Sequence, residues 1–293
     1  MRIVTYNIQF SRGKDMVHDL ERIARTVDGA DVIGLQEVER NWAHLDMADQ
    51  PAELARLLPG YYWVYGAGLD IDGSEKRADG TVLNRRRQVG NMLLSKTPIV
   101  ATRNHLLPKL NLLDFPNDQR AALEGVVETT AGALRVYVTH LSPRYNIERR
   151  MQIEVLLEIV RDGPSSGGAI SGPNTRLAQA GGRNPPMPRE AIILGDFNLE
   201  PVEAEYDLFC GKIDPVYGRM ARADGFVDAW VRAGNDIAEG VTCPEDPAND
   251  TFHDCRLDYG FVSANIADRV RAAWIDAEAQ GSDHQPFWFE LDL

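Results

Sequence analysis

The sequence predicts an α/β protein built on two sheets. Short apolar runs interleave with helix-like segments, no repeat recurs, and several runs stop on Asn, Asp, Glu or His. The clearest is Ala191-Ile192-Ile193-Leu194, which reads as a buried strand that halts at Gly195 and then presents Asp196 and Asn198. Side chains two apart in an extended segment point the same way, so this carboxylate and amide can face one small ligand. At 293 residues the chain can bury a large core, and one domain over 1–293 is expected.

Taken in order, residues 2–7 alternate and stop on Asn7. Residues 15–28 read as an amphipathic helix, with Val17, Leu20, Ile23, Ala24 and Val27 at helical spacing. Residues 31–37 deliver Glu37 after an apolar strand. A helix over 50–58 ends at Pro59-Gly60, and strands are predicted near 61–66, 89–96 and 121–128. The strand at 134–140 ends on His140, and 147–160 is the clearest helix. Asp258 is carried into a strand over 256–263. Gly281-Ser282-Asp283-His284 precedes the last strand, 287–291.

Two segments read as insertions. Residues 162–189 are crowded with Gly, Ser, Pro, Asn and Ala without a period, which predicts a flexible loop. Within them Gly163-Pro164-Ser165-Ser166-Gly167 matches the serine-hydrolase elbow. The elbow requires a strand before it and a helix after it; here a helix precedes, so the match is rejected. Residues 70–88 read as a polar, solvated loop ending in Arg85-Arg86-Arg87. An alternative use for these three arginines, with Lys76 and Arg77, is to hold an anionic substrate near a metal.

The net charge of −13 works against gripping long nucleic acid, which is bound by Lys and Arg that release counterions. It favours a small or lipid-like phosphoester. Cys210, Cys243 and Cys255 have neither disulfide nor zinc spacing and read as buried or idle thiols. No run is apolar enough for a membrane helix, and Met1-Arg2-Ile3-Val4 opens directly into a strand, which predicts a cytoplasmic protein, expected as a monomer.

The polar strand ends together resemble the endonuclease/exonuclease/phosphatase superfamily, which includes DNase I, apurinic endonucleases, bacterial sphingomyelinases, inositol polyphosphate 5-phosphatases and deadenylases. The resemblance rests on Thr-Tyr-Asn at 5–7, Leu-Gln-Glu-Val at 35–38, Gly-Asn-Met-Leu-Leu-Ser-Lys-Thr-Pro-Ile at 90–99 and Thr-His-Leu at 139–141. It continues through Gly-Asp-Phe-Asn at 195–198, Arg-Leu-Asp-Tyr at 256–259 and Ser-Asp-His at 282–284. These occur in the family's order. The resemblance implies a four-layer α/β/β/α sandwich and a metal-dependent phosphoesterase.

Glu37 is the first candidate metal ligand, because hard oxygen donors suit Mg²⁺ or Mn²⁺. Asn7 and Asp283 are expected beside it, by the resemblance and by the same oxygen chemistry. Asp196 would orient or deprotonate the attacking water and Asn198 would donate to a phosphate oxygen. His284 is the second acid–base candidate, with Asp258 its orienting partner by resemblance; which of Asp196 and His284 takes the proton stays open. His140 would touch phosphate or assist the leaving group. The family's supporting Glu is missing from 88–91, which leaves Asn91 as its candidate support. Gln9 stands where nuclease members often carry an acid. Arg120 is a candidate anion contact, and Tyr145, Arg149 and Gln152 are within reach in sequence. His18, His44, His105 and His253 read as structural.

The expected activity is a phosphodiesterase acting on a small, lipid-derived or sugar-linked phosphoester. The alternatives are a DNA or RNA nuclease of apurinic or deadenylase type, a sphingomyelinase, and a non-catalytic binding module. The last is opposed by the presence of Glu37, Asp196, Asn198, Asp258, Asp283 and His284.

Overall fold

The computed structural model describes residues 1–173, 179, 181–182, 184–246 and 251–293. Its first large sheet is formed by β1 (Arg2–Asn7), β2 (Val32–Arg40), β3 (Tyr62–Asp72), a small hairpin of β4 (Glu75–Lys76) and β5 (Val82–Leu83) beyond its edge, and β6 (Arg86–Ser95). The second contains β7 (Ile99–Leu106), β8 (Ala121–Thr129), β9 (Gly132–His140) and β10 (Ala191–Asp196). A short ribbon of β11 (Ile213–Asp214) and β12 (Gly218–Arg219) follows. Then come β13 (Phe226–Asp228) and β14 (Asp258–Ser263) of the second sheet, and β15 (Val270–Ile275) and β16 (Phe287–Leu291) of the first. The orders are β15-β16-β1-β2-β6-β3 and β13-β14-β10-β9-β8-β7.

Period-2 alternation along these strands builds the layers. Ile3, Val32, Leu93, Val136, Val138, Ile192, Leu194 and Phe289 form the core between the sheets. The intervening residues face outward. Val4, Tyr6, Ile33 and Leu35 meet α1 (Leu20–Val27) and α2 (Gln50–Leu57) through Ile23, Val27 and Leu54. Tyr137, Ile193, Tyr259 and Phe261 meet α3 (Asn146–Ser166) through Ile153, Leu156, Leu157 and Val160. The result is the four-layer α/β/β/α sandwich. At Gly34 a Cβ would lie 3.1 Å from Val138 Cγ2, so the bare backbone lets the two sheets approach closely.

Several predicted boundaries move. α1 begins at Leu20 because the Asp19 carboxylate caps Arg22 N–H, at 2.9 Å; residues 15–19 precede it as turn. α3 continues through 162–166, so the inserted segment begins later than its composition suggested. The expected loop character of the rest falls partly on residues outside those described. The 70–88 segment is not a loop: β3 and β6 extend to pair Ile71 with Arg87 and Asp72 with Arg86, and β4 and β5 cap the ribbon. Its residues are polar on both faces, so no apolar alternation marked the strands. Strands β7, β13 and β15 were not predicted.

Among the described residues no helix is long and apolar enough to cross a membrane. All three cysteines are free and buried, as expected. Cys243 and Cys255, distant in sequence, face each other across an antiparallel bridge.

Candidate active site

Parallel pairing of β1 with β2, and of β9 with β10, brings Asn7, Glu37, His140 and Asp196 to one edge of the sandwich. Antiparallel β14 delivers Asp258 there from its first residue. Register is tight: Asp196 lies opposite His140 on one side and Asp258 on the other. Gly195 is needed before Asp196, since a Cβ there would fall 2.0 Å from Thr139 O. Phe197 then turns away from the site, its ring perpendicular to Phe261 at 4.9 Å. Burying that ring contributes about 1.5–3 kcal/mol and pins Asp196 and Asn198 on the opposite side. Two residues here adopt left-handed backbone, Glu37 (φ 56°) and Asn198 (φ 51°). Glu37 sits in the β-bulge between Leu35 and Val38, which aims its carboxylate out of the sheet.

The contacts bridge the two sheets. Asn7 Nδ2 donates to Glu37 Oε1 at 3.1 Å and to Asp196 Oδ2 at 3.0 Å. Asp258 Oδ2 holds His284 Nδ1 at 2.7 Å, and His284 Nε2 faces Asp196 Oδ2 at 3.8 Å. Thr242 Oγ1 accepts the backbone N–H of both Leu257 and Asp258, which fixes the start of β14. Asn198 N–H donates to Asp196 Oδ1 at 2.9 Å, while its side chain donates to Leu141 O. Gln9 Nε2 donates to Asp283 Oδ2 at 2.5 Å, so the residue replacing the family's acid anchors a neighbouring carboxylate.

His140 corrects one expectation. Asn91 does not support it: the Asn91 amide donates to Ala121 O. Behind the ring stands Arg120, whose Nη1 is 3.1 Å from His140 Nδ1. A guanidinium only donates, so Nδ1 is the accepting nitrogen and the proton resides on Nε2, 3.4 Å from Asp196 Oδ2. Burial, then the Arg120 charge, holds His140 well below the usual imidazole range, so it stands neutral.

His284 is the opposite case. Burial disfavours its charge, yet Asp258 and Asp196 outweigh that and hold it well above the usual range. Asp196 is pushed up to about 7 by burial, with His284 opposing and Asp258 adding to the rise. Glu37 is raised by burial and then by the charge of Asp283.

The other predicted residues are engaged elsewhere. Arg85 pairs with Glu75, and Arg86 with Asp70 at 2.7 Å, so both neutralise acids of their own ribbon. Arg87 packs on Gly73. Tyr145 precedes α3 as its N-cap residue and makes no side-chain cap. Arg149 pairs with Glu203, and Gln152 accepts Ser142 N–H at 2.8 Å. The parts played by Gln9, Thr242 and Arg120 depend on contacts between distant segments that no local pattern announces.

The family model for the endonuclease/exonuclease/phosphatase family matches residues 4–284. The chain belongs to this family. No curated protein matches the sequence significantly. Among solved structures it is similar to an endonuclease/exonuclease/phosphatase from Beutenbergia cavernae, at 24% identity and TM-score 0.64, covering 100% of this chain and 71% of that one. It is also similar to a mannosyl-6-phosphatase from Bacteroides thetaiotaomicron, at 18% identity and TM-score 0.63, with both chains fully covered at 100%. D. rerio TDP2 complexed with a single-strand DNA product matches at 17% identity and TM-score 0.60, covering 100% of this chain and 99% of that one. At these identities the likeness concerns the fold. As a member of the family the chain is a phosphoester hydrolase, and the family is in general divalent-metal dependent.

The residues fit a hard cation. Glu37 and Asp283 offer hard carboxylate oxygens, and burial and then the Asp283 charge raise Glu37, a cost that a divalent ion beside them would offset. Asn7 is oriented otherwise, with its oxygen accepting Gln9 N–H and its amide nitrogen toward the acids. A second cluster, Asp196, Asp258 and His284, has ligand atoms within 4.8 Å of one another. With His284 protonated it is an ion-paired triad, because an imidazolium has no lone pair to give a metal.

Proposed function

We propose that the protein is a Mg²⁺- or Mn²⁺-dependent phosphodiesterase for a small, lipid-derived or sugar-linked phosphoester. The observation that carries this reading is the buried triad Asp196–His284–Asp258 set beside Glu37 and Asp283. Glu37 and Asp283 would hold the cation, which when bound would neutralise charge on the phosphoryl oxygens. Asn7 ties Glu37 to Asp196 and keeps the acid arrangement fixed.

Asp196 is the base for the attacking water. With His284 held as imidazolium by two carboxylates, its nitrogens have no free lone pair, whereas a carboxylate poised near neutrality suits the task. His284 then offsets negative charge gathering on the phosphoryl group. His140, neutral and bearing its proton on Nε2, donates a hydrogen bond to a phosphoryl or leaving oxygen; the guanidinium behind it makes it a donor rather than a strong acid. Asn198 assists on the same side, and Arg120 adds the fixed positive charge.

Charge supports a small substrate. Arg120 is the one cation among the residues lining the cleft beside His140, against Glu37 and Asp118. A nucleic-acid track needs a row of cations. The mannosyl-6-phosphatase among the fold neighbours acts, by its name, on a sugar phosphate.

Turnover of bis(p-nitrophenyl) phosphate, p-nitrophenyl phosphate and an abasic duplex oligonucleotide, with Mg²⁺ or Mn²⁺ and with chelator, tests the reading. Metal-dependent cleavage of the diester above the monoester, with the duplex intact, is expected. Faster cleavage of the duplex overturns the small-substrate reading in favour of a nuclease, and a dominant monoesterase activity overturns the diester preference.

A further inference from the structure

The same three strands that carry His140, Asp196 and Asp258 end, on the other side of the molecule, in a second cleft of about 570 Å³. Small-molecule sites fall at roughly 300–1,000 Å³. Its floor is Arg135, the fourth residue of β9 and 2% exposed. The guanidinium donates to Pro188 O at 2.7 Å, Val160 O at 2.6 Å, Tyr137 Oη at 2.9 Å and Arg189 O at 3.2 Å. All four acceptors are neutral.

Part of this arrangement is structural. Pro164 lies inside α3 and has no N–H, so the Val160 carbonyl loses its helical donor and Arg135 replaces it. Gly163 makes room, since a Cβ there would lie 2.2 Å from Arg135 Nη1. That role requires a donor, not a charge. The positive charge stays buried with no carboxylate in contact, a costly state that an anion would relieve.

Arg161 and Arg189 stand exposed at the rim. Neither side chain makes a hydrogen bond or ion pair among the described residues, although Arg161 lies near enough to Asp224 for its charge to lower that carboxyl. The cleft's acid, Asp224, is engaged in two bonds from Arg222, at 2.8 and 2.7 Å. Ser263 Oγ accepts Ala191 N–H, which leaves its hydroxyl proton to donate. Phe226 and Pro164 supply an apolar wall. In a chain of net charge −13, three arginines converging on one recess are a local reversal of sign.

We propose that this cleft is a binding site for a small organic phosphate, with its phosphoryl group against Arg135, Arg161 and Arg189 and its organic part on Phe226 and Pro164. Guanidinium forks match phosphate geometry, and a dianion answers three cations better than a carboxylate does.

The test is calorimetric titration of phenyl phosphate, inorganic phosphate and phenylacetate into the full chain with chelator present, which stops turnover. Phenyl phosphate is expected to bind one per chain and more tightly than either other probe. Arg161→Ala/Arg189→Ala, which leaves the Arg135 contacts to α3 in place, should weaken it at least about tenfold, the equivalent of about 1.4 kcal/mol. Arg120→Ala, at the catalytic end, should leave it unchanged. No heat at millimolar phenyl phosphate, undiminished binding in the double variant, or loss in Arg120→Ala would each overturn the proposal. Equal binding of phenylacetate would overturn the phosphate class.

Discussion

At one end of β9, β10 and β14 stand His140, Asp196 and Asp258; toward the other stand Arg135, Ala191 and Ser263, the last residue of β14. These two sets of residues are five positions apart along each strand, about 17 Å at strand rise. The first gathers carboxylates whose charges raise one another and which call for a cation. The second buries a cation satisfied only by neutral oxygens. Both states are costly in isolation and both persist because the strands between them are fixed on two faces by separate cores. A stiff buried strand thus tolerates unbalanced charge at each terminus, and the sign of the imbalance decides which ligand each end accepts.

The comparison breaks most sharply at Asp196. Asp196→Asn keeps the size and the bond from Asn198 N–H, but its amide nitrogen can accept neither from Asn7 nor from the two imidazoles and it removes the base, so kcat should fall by about 10³-fold, within the usual 10²–10⁴ range of general-base removal. Steady-state turnover checks this, with circular dichroism to confirm the fold. Arg120→Ala should lower kcat/KM by roughly 10–100-fold, the loss of a charge-assisted phosphate contact of about 1.5–3 kcal/mol. At the opposite end the readout is stability. Arg135→Met leaves the Val160 carbonyl without a donor and should cost about 1–3 kcal/mol in chemical denaturation. Pro164→Ala, which returns an N–H to that carbonyl, should recover part of the loss in the Arg135→Met background. Arg85→Ala/Arg86→Ala/Arg87→Ala should leave KM within about twofold, because exposed ion pairs are worth little and two of these arginines serve their own ribbon. A large rise in KM would bring the ribbon into the site.

Much of the acidic end was legible in sequence, and almost none of the basic end. Asn7, Glu37, His140 and Asp196 each follow an apolar run, so position along a strand announced them. Asp258 and His284 were marked by family pattern, and their 2.7 Å bond agrees with the pairing it implied. Arg120 was noticed as a cation but not as the partner of His140, since strand pairing of β8 with β9 sets their proximity. Asn91 was misjudged for the same reason: its neighbour is a backbone carbonyl of β8. Arg135 interrupts an apolar strand, and its partner there is the Val160 carbonyl, left without a helical donor by Pro164 in a segment whose composition suggested a loop. The β3–β6 ribbon escaped notice because exposed strands need no alternation.

The most direct measurement is the pH dependence of kcat/KM for metal-dependent bis(p-nitrophenyl) phosphate cleavage, wild type beside Asp196→Asn, from about pH 5 to 9. The raised Asp196 carboxyl keeps its proton below about 7, so wild-type activity should climb through that region as the base is freed. It should fall again only at higher pH, where His284, held above its usual value, loses its charge. The residual activity of Asp196→Asn should lack the rising limb. A wild-type profile already flat from pH 5, or a rising limb retained by Asp196→Asn, would contradict the assignment of Asp196 as the base.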